Sequence, residues 1–353
     1  MQTALMLHEK FGPVTRTSRP IPQTANAGEI IVKIHSSSVN GMDWKIPKYG
    51  IIISEYPAVL GYDVAGDVIA VGEGVTKFAV GDKVFGSSLP YADFGAYQSY
   101  CRLNSDFAAK IPPSLTYDQA CTIPIVFFAA YCGMYNKLPN GMNLTPLIPS
   151  GRNKYTNKPI LIVGGGSYVG SFAIQCAKHS GFSPIIVTSS LKHTERIKAL
   201  GVTHVIDRYA STSALRAEVA SILSATTGQT PPAEGGLLEY VFDAISAPET
   251  QKVAFELVAP GGTLGLDSYV AVPTDQGVIV GNTTGFPHVP ANYQLVKSMY
   301  DEFSQWLEEG LFKPCNVQVF PGGLDAVQDV LKKMENNELS TEAKPVIRPS
   351  ETP

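Results

Sequence analysis

Charged residues are scarce in this chain and are not gathered into blocks. They make up 16% of the 353 residues, and the formal net charge is -4 with no basic run. Nucleic acids and anionic membrane surfaces are recognised by clusters of Lys and Arg. The composition therefore argues against either as the main partner. Hydrophobic residues make up 44% of the chain, which is typical of a folded protein rather than a disordered one.

Long apolar segments are also lacking. No run is long enough to span a bilayer, and the first ten residues, MQTALMLHEK, do not have the pattern of a secretory signal. The sequence therefore predicts a protein of the cytoplasm.

Cysteine pairs and metal-binding spacings are missing as well. The five cysteines are widely spaced and include no CxxC pair. Their positions are Cys101, Cys121, Cys132, Cys176 and Cys315. An odd number at such spacing argues against a disulfide framework and a structural zinc site. We expect all five to be small buried residues. The six histidines are scattered and form no nucleophile–base pair by spacing, so nothing indicates a hydrolase.

The most informative stretch is a glycine turn between a predicted strand and a predicted helix. Residues 160–163 form a short apolar, β-branched run, Gly164, Gly165 and Gly166 follow, and a helical pattern then extends to Gly181. Glycines let the backbone approach a pyrophosphate, which the free N–H groups at a helix start receive. Gly170 comes one residue later than the usual fingerprint requires, so an ordinary αβ unit with a glycine turn is the alternative.

The next segments favour nucleotide binding. Residues 184–188 form a second apolar strand, residues 195–200 a helix and residues 204–206 a third strand. A βαβαβ unit of these lengths is typical of a mononucleotide-binding half. We expect the phosphate contacts to come from the turn and the helix start, at Gly166, Ser167, Tyr168, Val169 and Gly170.

The length of the chain suggests two domains. The first 130 residues carry short strands punctuated by Gly, Pro and Asp, as a β-rich or barrel domain does. Strand and helix alternate from residue 159 to about 285, and residues 287–290 break that pattern. An amphipathic helix over 293–309 follows, and final strands are predicted at 317–320 and 346–347 around a helix at 324–335.

Several ordered motifs resemble the medium-chain dehydrogenase/reductase superfamily over almost the whole chain. They are SSVNGMDWK at 37–45, LGYDVAG at 60–66, VGDKVFG at 80–86 and the glycine turn. Within it, residues 39–45 and 166–170 resemble the zinc-independent quinone oxidoreductases and fungal trans-acting enoyl reductases. The resemblance implies an α/β fold with a doubly wound parallel Rossmann sheet and a β-rich, GroES-like catalytic domain. The latter would comprise residues 1–130 and 286–353, with the Rossmann domain at 131–285.

The same resemblance bears on metal binding. Zinc-dependent members bind the metal through a Cys of a CGxD motif and a His of a GHE motif, where this chain has Asn40 and Tyr62. Neither residue supplies the thiolate or imidazole that zinc prefers. We therefore predict no metal, and without a Lewis acid the conjugate reduction of an activated C=C becomes the favoured chemistry.

The end of the second predicted strand indicates the cofactor. An NAD enzyme usually has Asp or Glu there, whereas this chain has Ser189, Ser190, Lys192 and His193. Hydroxyl groups and a cation suit a phosphate dianion, and Arg208 after the third strand adds a second cation. We predict NADPH. The alternative is that Lys192 and Arg208 are solvated surface charges.

The resemblance also implies roles for other residues. Lys45 matches a lysine near the cofactor ribose and nicotinamide, where it would orient the cofactor or relay a proton, although a surface lysine is the alternative. Further cofactor contacts are implied at its neighbours and at a turn near the carboxy terminus, namely Met42, Asp43, Trp44, Glu342 and Ala343. Asn40 and Tyr62 are candidates to hydrogen-bond a substrate carbonyl, and with Lys45 they form the predicted catalytic set.

Together these features predict an NADPH-dependent enoyl reductase. It would transfer hydride to the C=C of an α,β-unsaturated carbonyl, on a small molecule or on a chain tethered to a carrier protein, with a polyketide synthase as possible partner. A quinone or small-enal reductase is the near alternative. A non-catalytic NADPH-binding protein is the other alternative, because Ala129 replaces a Thr common in the family. Phe127, Phe128 and Tyr131 suggest an apolar pocket or plain core.

Overall fold

The contacts within the chain divide it into two units. One comprises residues 1–125 and 296–353, and the other comprises residues 126–295. The computed structural model describes residues 1–228, 230–274, 276–283 and 286–353, with the backbone alone at Pro149. The resemblance predicts unit boundaries after residues 130 and 285, whereas the contacts divide the chain after 125 and 295.

The amino-terminal part of the first unit is built mainly from strands. In chain order its elements are β1 (Gln2–Leu7), β2 (Val14–Arg19), β3 (Glu29–Ser38), α1 (Gly41–Tyr49), β4 (Ala58–Val59), β5 (Asp63–Val71), β6 (Lys83–Ser87), β7 (Tyr100–Asn104), β8 (Ala108–Lys110) and α2 (Tyr117–Ala120). The longest strand, β3, pairs antiparallel with β5 and with β7. Alternate β3 residues Ile30, Val32 and Ile34 enter one apolar core with Val64 and Val84, as a period of two requires.

The second unit alternates strands and helices. Its elements are α3 (Pro124–Tyr135), β9 (Ile160–Val163), α4 (Tyr168–Ser180), β10 (Ile185–Ser189), α5 (Thr194–Lys198), β11 (His204–Asp207), α6 (Thr212–Thr227), β12 (Leu238–Asp243), α7 (Pro248–Leu257), β13 (Val258–Leu266), β14 (Ile279–Asn282) and α8 (Pro290–Glu308), of which α3 and α8 cross the unit boundaries. Among the described residues, six strands form a parallel sheet in the order β11-β10-β9-β12-β13-β14. This is the strand order of a doubly wound dinucleotide fold, so the predicted Rossmann fold is confirmed.

The turn between β9 and α4 explains why the chain needs glycine there. Gly164 has a φ of +77°, which favours glycine. A Cβ on Gly170 would lie 2.3 Å from the carbonyl oxygen of Gly164, so the first turn of α4 packs directly on the preceding backbone. Ser167 caps the helix by accepting a hydrogen bond from the Gly170 N–H at 3.0 Å, and Gly181 ends it at a φ of +89°.

The carboxy-terminal segment returns to the first unit. It contains β15 (Val317–Val319), α9 (Val327–Glu335) and β16 (Lys344–Ile347). β16 pairs antiparallel with the end of β3, where Val346 lies opposite Ser38 and Ile347 opposite Ser37. The sheet runs in the order β15-β16-β3-β5-β6-β8, with β7 also paired to β3. Lys344, the first residue of β16, is fully buried.

Two expectations from the sequence are settled by the fold. The predicted break at residues 287–290 is present at 287–289, which lie outside the helices and strands, whereas Pro290 begins helix α8. Proline is tolerated in the first helical turn, where its missing N–H has no intrahelical partner. Phe127, Phe128 and Tyr131 are buried on α3, and the Phe127 ring meets Phe172 of α4 edge-on at 5.3 Å between centroids. These aromatics are core residues.

Along the described parts of the chain, the helices are too short or too polar to traverse a bilayer.

Candidate active site

The start of α4 has the properties of an anion-binding site. The first N–H groups of a helix have no intrahelical acceptor, and the helix dipole favours negative charge there. Ser167 occupies the N-cap position, and Tyr168 and Val169 are only partly buried. The residues predicted to contact phosphate, Gly166 to Gly170, therefore lie together at this helix start, beyond the carboxyl end of β9.

The end of β10 lies against the same turn. A Cβ on Gly166 would lie 2.6 Å from Ser189 Oγ and 3.0 Å from His193 Cδ2, so a larger residue would require these side chains to shift. Ser189 and His193 are buried, whereas Ser190 is half-buried and Lys192 is exposed. The structure therefore brings the predicted phosphate-contacting turn together with the predicted ribose-contacting segment.

Arg208 follows β11, the strand next to β10. Its backbone N–H donates to the Ser189 carbonyl at 3.0 Å, so its main chain touches the predicted cofactor segment. Its guanidinium stacks on the neighbouring ring of Tyr209, with Cζ 4.7 Å from the ring centroid, and donates to the Tyr209 hydroxyl. Both side chains are exposed.

A further cation at the turn was not among the predicted residues. Arg196, on α5, donates from one guanidinium nitrogen to the Gly166 carbonyl at 2.9 Å. The side chain is half-buried, and its buried Nε has no hydrogen-bond partner among the residues that the structure describes. This contact is to a backbone oxygen, so the sequence carries no signal for it.

In the first unit, a buried polar cluster surrounds Asp63 on β5. Its Oδ2 accepts hydrogen bonds from Lys344 Nζ and Asn40 Nδ2, both at 2.8 Å, and from the Ser38 hydroxyl. Its Oδ1 accepts from the Ile125 N–H at 2.8 Å. Neither Asp63 nor Lys344 is exposed, so a buried carboxylate is matched by one buried cation and three further donors.

The two positions that match zinc ligands in the family belong to this region. The Asn40 amide donates to Asp63 and, at 3.4 Å, to the Ser38 carbonyl, and Tyr62 is fully buried. Burial raises the pKa of Tyr62 well above its ordinary value, so the phenol stays protonated. These groups do not suit zinc, and no cluster of three or more His, Cys, Asp or Glu side chains in the described ranges is able to hold a metal ion.

Asp43 anchors helix α1 from within. Its Oδ2 accepts hydrogen bonds from the Asn40 N–H at 2.8 Å and from the Tyr97 hydroxyl at 2.6 Å. The side chain is fully buried, and burial raises the pKa of Asp43 to about 7 against the opposing effect of these two hydrogen bonds. In this structure the carboxyl holds the start of α1, beside the predicted catalytic lysine.

The other predicted contacts on α1 face solvent. Met42 and Lys45 are exposed and Trp44 is half-buried. Lys45 Nζ lies 5.8 Å from the Trp44 ring centroid, and Lys48 Nζ lies 5.3 Å from the same ring system. Both ammonium groups are therefore at cation–π distance from one indole.

The predicted turn near the carboxy terminus, Glu342 and Ala343, immediately precedes β16. Glu342 is exposed, Ala343 is half-buried, and the Glu342 N–H donates to Ser340 Oγ at 3.2 Å. The next residue is the buried Lys344, so this turn is tied to the cluster around Asp63.

The sequence predicts that all five cysteines are buried, and this is confirmed for four of them. Four are buried, and Cys315 is only partly buried. All five are free thiols.

Comparison with known proteins agrees with this architecture. The model of the alcohol dehydrogenase GroES-like domain matches residues 26–113, and that of the zinc-binding dehydrogenase family matches residues 169–290. The trans-enoyl reductase himH of Aspergillus japonicus is 32% identical over 310 residues, covering 85% of this chain and 84% of its own.

Solved structures show the same fold. An alcohol dehydrogenase superfamily protein from Novosphingobium aromaticivorans is 25% identical, with a TM-score of 0.77 over 99% of both chains. The mycobacterial protein Rv1454c, solved in complex with NADPH, is 22% identical, with a TM-score of 0.73 over 99% of this chain and 100% of its own. The chain therefore belongs to the medium-chain dehydrogenase/reductase superfamily of oxidoreductases, among whose members its relatives include a fungal trans-enoyl reductase.

Proposed function

We propose that this protein is an NADPH-dependent enoyl reductase that transfers hydride to the C=C of an α,β-unsaturated carbonyl compound. The observation that carries the proposal is the contact of the glycine turn with the end of β10. The first N–H groups of a helix have no intrahelical acceptor and attract anions, and at the start of α4 Gly166 packs against Ser189 and His193. The polar groups there are hydroxyls and cations.

The residues present fit a phosphorylated dinucleotide. A carboxylate at the end of the second strand would bind a ribose 2′-hydroxyl and repel a 2′-phosphate. Here the stretch 189–193 reads Ser-Ser-Leu-Lys-His, so its side chains offer donors and a positive charge. This donor set supports NADPH over NADH.

The chemistry of the first unit supports conjugate reduction. The bound cofactor supplies a hydride, which is a proton with an electron pair. When the β-carbon receives it, the C=C electron pair moves toward the carbonyl, and the α-carbon then takes a proton. Asn40 and Tyr62, a buried amide and a protonated phenol, are poor metal ligands. The exposed ammonium of Lys45 is the group best able to orient the cofactor or relay that proton.

The relatives support an enoyl substrate. One that covers most of this chain is named a trans-enoyl reductase. We therefore propose a carrier-tethered enoyl chain as substrate and a polyketide synthase as partner.

The decisive experiment follows NADPH oxidation with an enoyl thioester of N-acetylcysteamine and, separately, with a free quinone. We expect turnover of the thioester and little of the quinone. Turnover of the quinone alone would overturn the enoyl assignment in favour of a quinone reductase. Tight NADPH binding without turnover across a panel of enones would instead identify a non-catalytic NADPH-binding protein.

A further inference from the structure

Arg196 is a half-buried arginine without a counter-charge. One guanidinium nitrogen donates to the Gly166 carbonyl, the buried Nε has no hydrogen-bond partner, and the side chain makes no ion pair, all within the described part of the chain. Two other partly buried arginines differ, because Arg19 pairs with Asp93 and Arg102 pairs with Glu29.

Such an arrangement is unfavourable unless an anion completes it. A buried donor left without a partner costs free energy, and a guanidinium binds phosphate through several donors at once. The oxygen atoms of a bound phosphate would accept hydrogen bonds from the terminal nitrogens of the guanidinium and neutralise its charge.

The position of Arg196 indicates which phosphate this is. The pyrophosphate is expected at the N–H groups of α4, beyond Gly166, whereas α5 follows the end of β10, where the adenosine ribose is read. Gly166, to which Arg196 is bonded, also packs against Ser189. The anion beside Arg196 therefore belongs to the ribose.

We propose that Arg196 binds the 2′-phosphate of NADPH together with Ser190 and Lys192, and so sets the preference for NADPH over NADH. The inference rests on the proposed function, because it assumes that a nicotinamide dinucleotide binds this unit. The hydrogen bond to Gly166 holds the guanidinium beside the turn, so the site is preorganised before the cofactor arrives.

The test is a fluorescence titration of NADPH and NADH with the wild-type protein, Arg196→Met and Arg196→Lys. We expect Arg196→Met to weaken NADPH binding about 10- to 100-fold, as the loss of charge-assisted hydrogen bonds does. NADH affinity should change by less than about 3-fold, since NADH lacks the 2′-phosphate. Arg196→Lys should recover part of the NADPH affinity.

Arg216→Met is the matched control. Arg216 is also half-buried in this unit and donates to main-chain carbonyls, those of Gly235 and Pro232. Arg216→Met removes an equal charge and similar hydrogen bonds to main-chain carbonyls, but at the opposite end of strands β12 and β13. The ratio of NADPH to NADH affinity should therefore stay at the wild-type value.

The outcomes separate cleanly. If Arg196→Met weakens the binding of NADPH and NADH equally, Arg196 only holds the turn in place and the inference is wrong. An unchanged NADPH affinity would also overturn it. In the wild-type protein, the Arg196 Nε–H resonance should shift with 2′,5′-ADP and not with 5′-AMP, a readout that needs no variant to fold. Wild-type protein that binds neither dinucleotide would contradict the proposed function itself.

Discussion

Lys344 on β16 donates from Nζ to Oδ2 of Asp63 on β5 at 2.8 Å, and neither side chain is exposed. The same carboxylate oxygen accepts a hydrogen bond from Asn40, which precedes α1. This ion pair and the Asn40 hydrogen bond together link β16 to the start of helix α1, which carries Lys45. We expect the placement of α1 to depend on it.

Removing one partner of this ion pair should be costly. In Lys344→Met the Asp63 carboxylate loses its only cation in the described structure while remaining buried, so the free energy of unfolding should fall by about 3–5 kcal/mol. Adding Asp63→Asn removes the stranded charge and keeps an oxygen that accepts hydrogen bonds. Urea unfolding should therefore show the double variant to be more stable than Lys344→Met, and the reverse order would contradict this account.

Asp43 should make the stability fall as the pH rises. Its pKa is raised from 3.8 to about 7, so between these values the folded protein holds a proton that the unfolded chain has lost. The free energy of unfolding contributed by Asp43 therefore decreases from pH 4 to pH 7. The charged and titratable groups that act on it are Tyr97, Asp63, Lys344 and Tyr62.

Asp43→Asn imitates the protonated carboxyl at every pH. The free energy of unfolding of the variant minus that of wild type should increase by about 2–4 kcal/mol between pH 4.5 and pH 8. Urea unfolding of both proteins at the two pH values measures this difference. An identical stability difference at both values would mean that Asp43 titrates normally.

A methyl group at residue 170 should disrupt the glycine turn. The new Cβ of Gly170→Ala would lie 2.3 Å from the Gly164 carbonyl oxygen and 2.9 Å from Gly165 Cα, and backbone atoms cannot move aside cheaply. We expect a loss of about 1–3 kcal/mol in unfolding free energy, together with weaker binding of both NADPH and NADH.

The matched control is Gly41→Ala, where an added Cβ meets nothing within 4 Å at the start of α1. Thermal unfolding should leave this variant at least as stable as wild type, because alanine favours a helix over glycine. Equal destabilisation by both substitutions would show that close packing at Gly170 is not the cause.

Lys45 and Lys48 provide a matched pair for catalysis. Both ammonium groups approach the Trp44 ring, but Lys48 also pairs with Glu335. If Lys45 orients the cofactor or relays a proton, Lys45→Met should lower kcat/KM for the enoyl thioester by about 10²- to 10⁴-fold. Lys48→Met should leave it within about 3-fold, and equal effects of the two variants would show that general surface charge is responsible.

Elements whose limits are set by neighbouring residues in the chain were predicted from the sequence. Residues 160–163 form β9 as the apolar run predicts, and α4 ends at Gly181, as the glycine predicts. Helix α6 and strand β14 were not among the predicted elements. The β14 strand is only four residues long and partly exposed, so its pairing with β13 rather than its own pattern defines it.

The candidate site divides in the same way. The turn at Gly166 to Gly170 and the segment Ser189 to His193 were predicted from sequence, because each follows its own strand directly. Lys344 was missed, since its partner Asp63 is distant in the chain and only the pairing of β16 with β3 brings them together. Arg196 was missed because its contact with Gly166 is to a backbone oxygen, which leaves no pattern in the sequence.

Conjugate reduction is tested most sharply by following the cofactor hydride into the product. The wild-type protein is incubated with an enoyl thioester and NADPH carrying deuterium at C4 of the nicotinamide, on each face in turn, and the product is examined by NMR. Conjugate reduction predicts one deuterium at the β-carbon from one face and a solvent-derived hydrogen at the α-carbon. Deuterium at the former carbonyl carbon, or none in the product from either face, would contradict it.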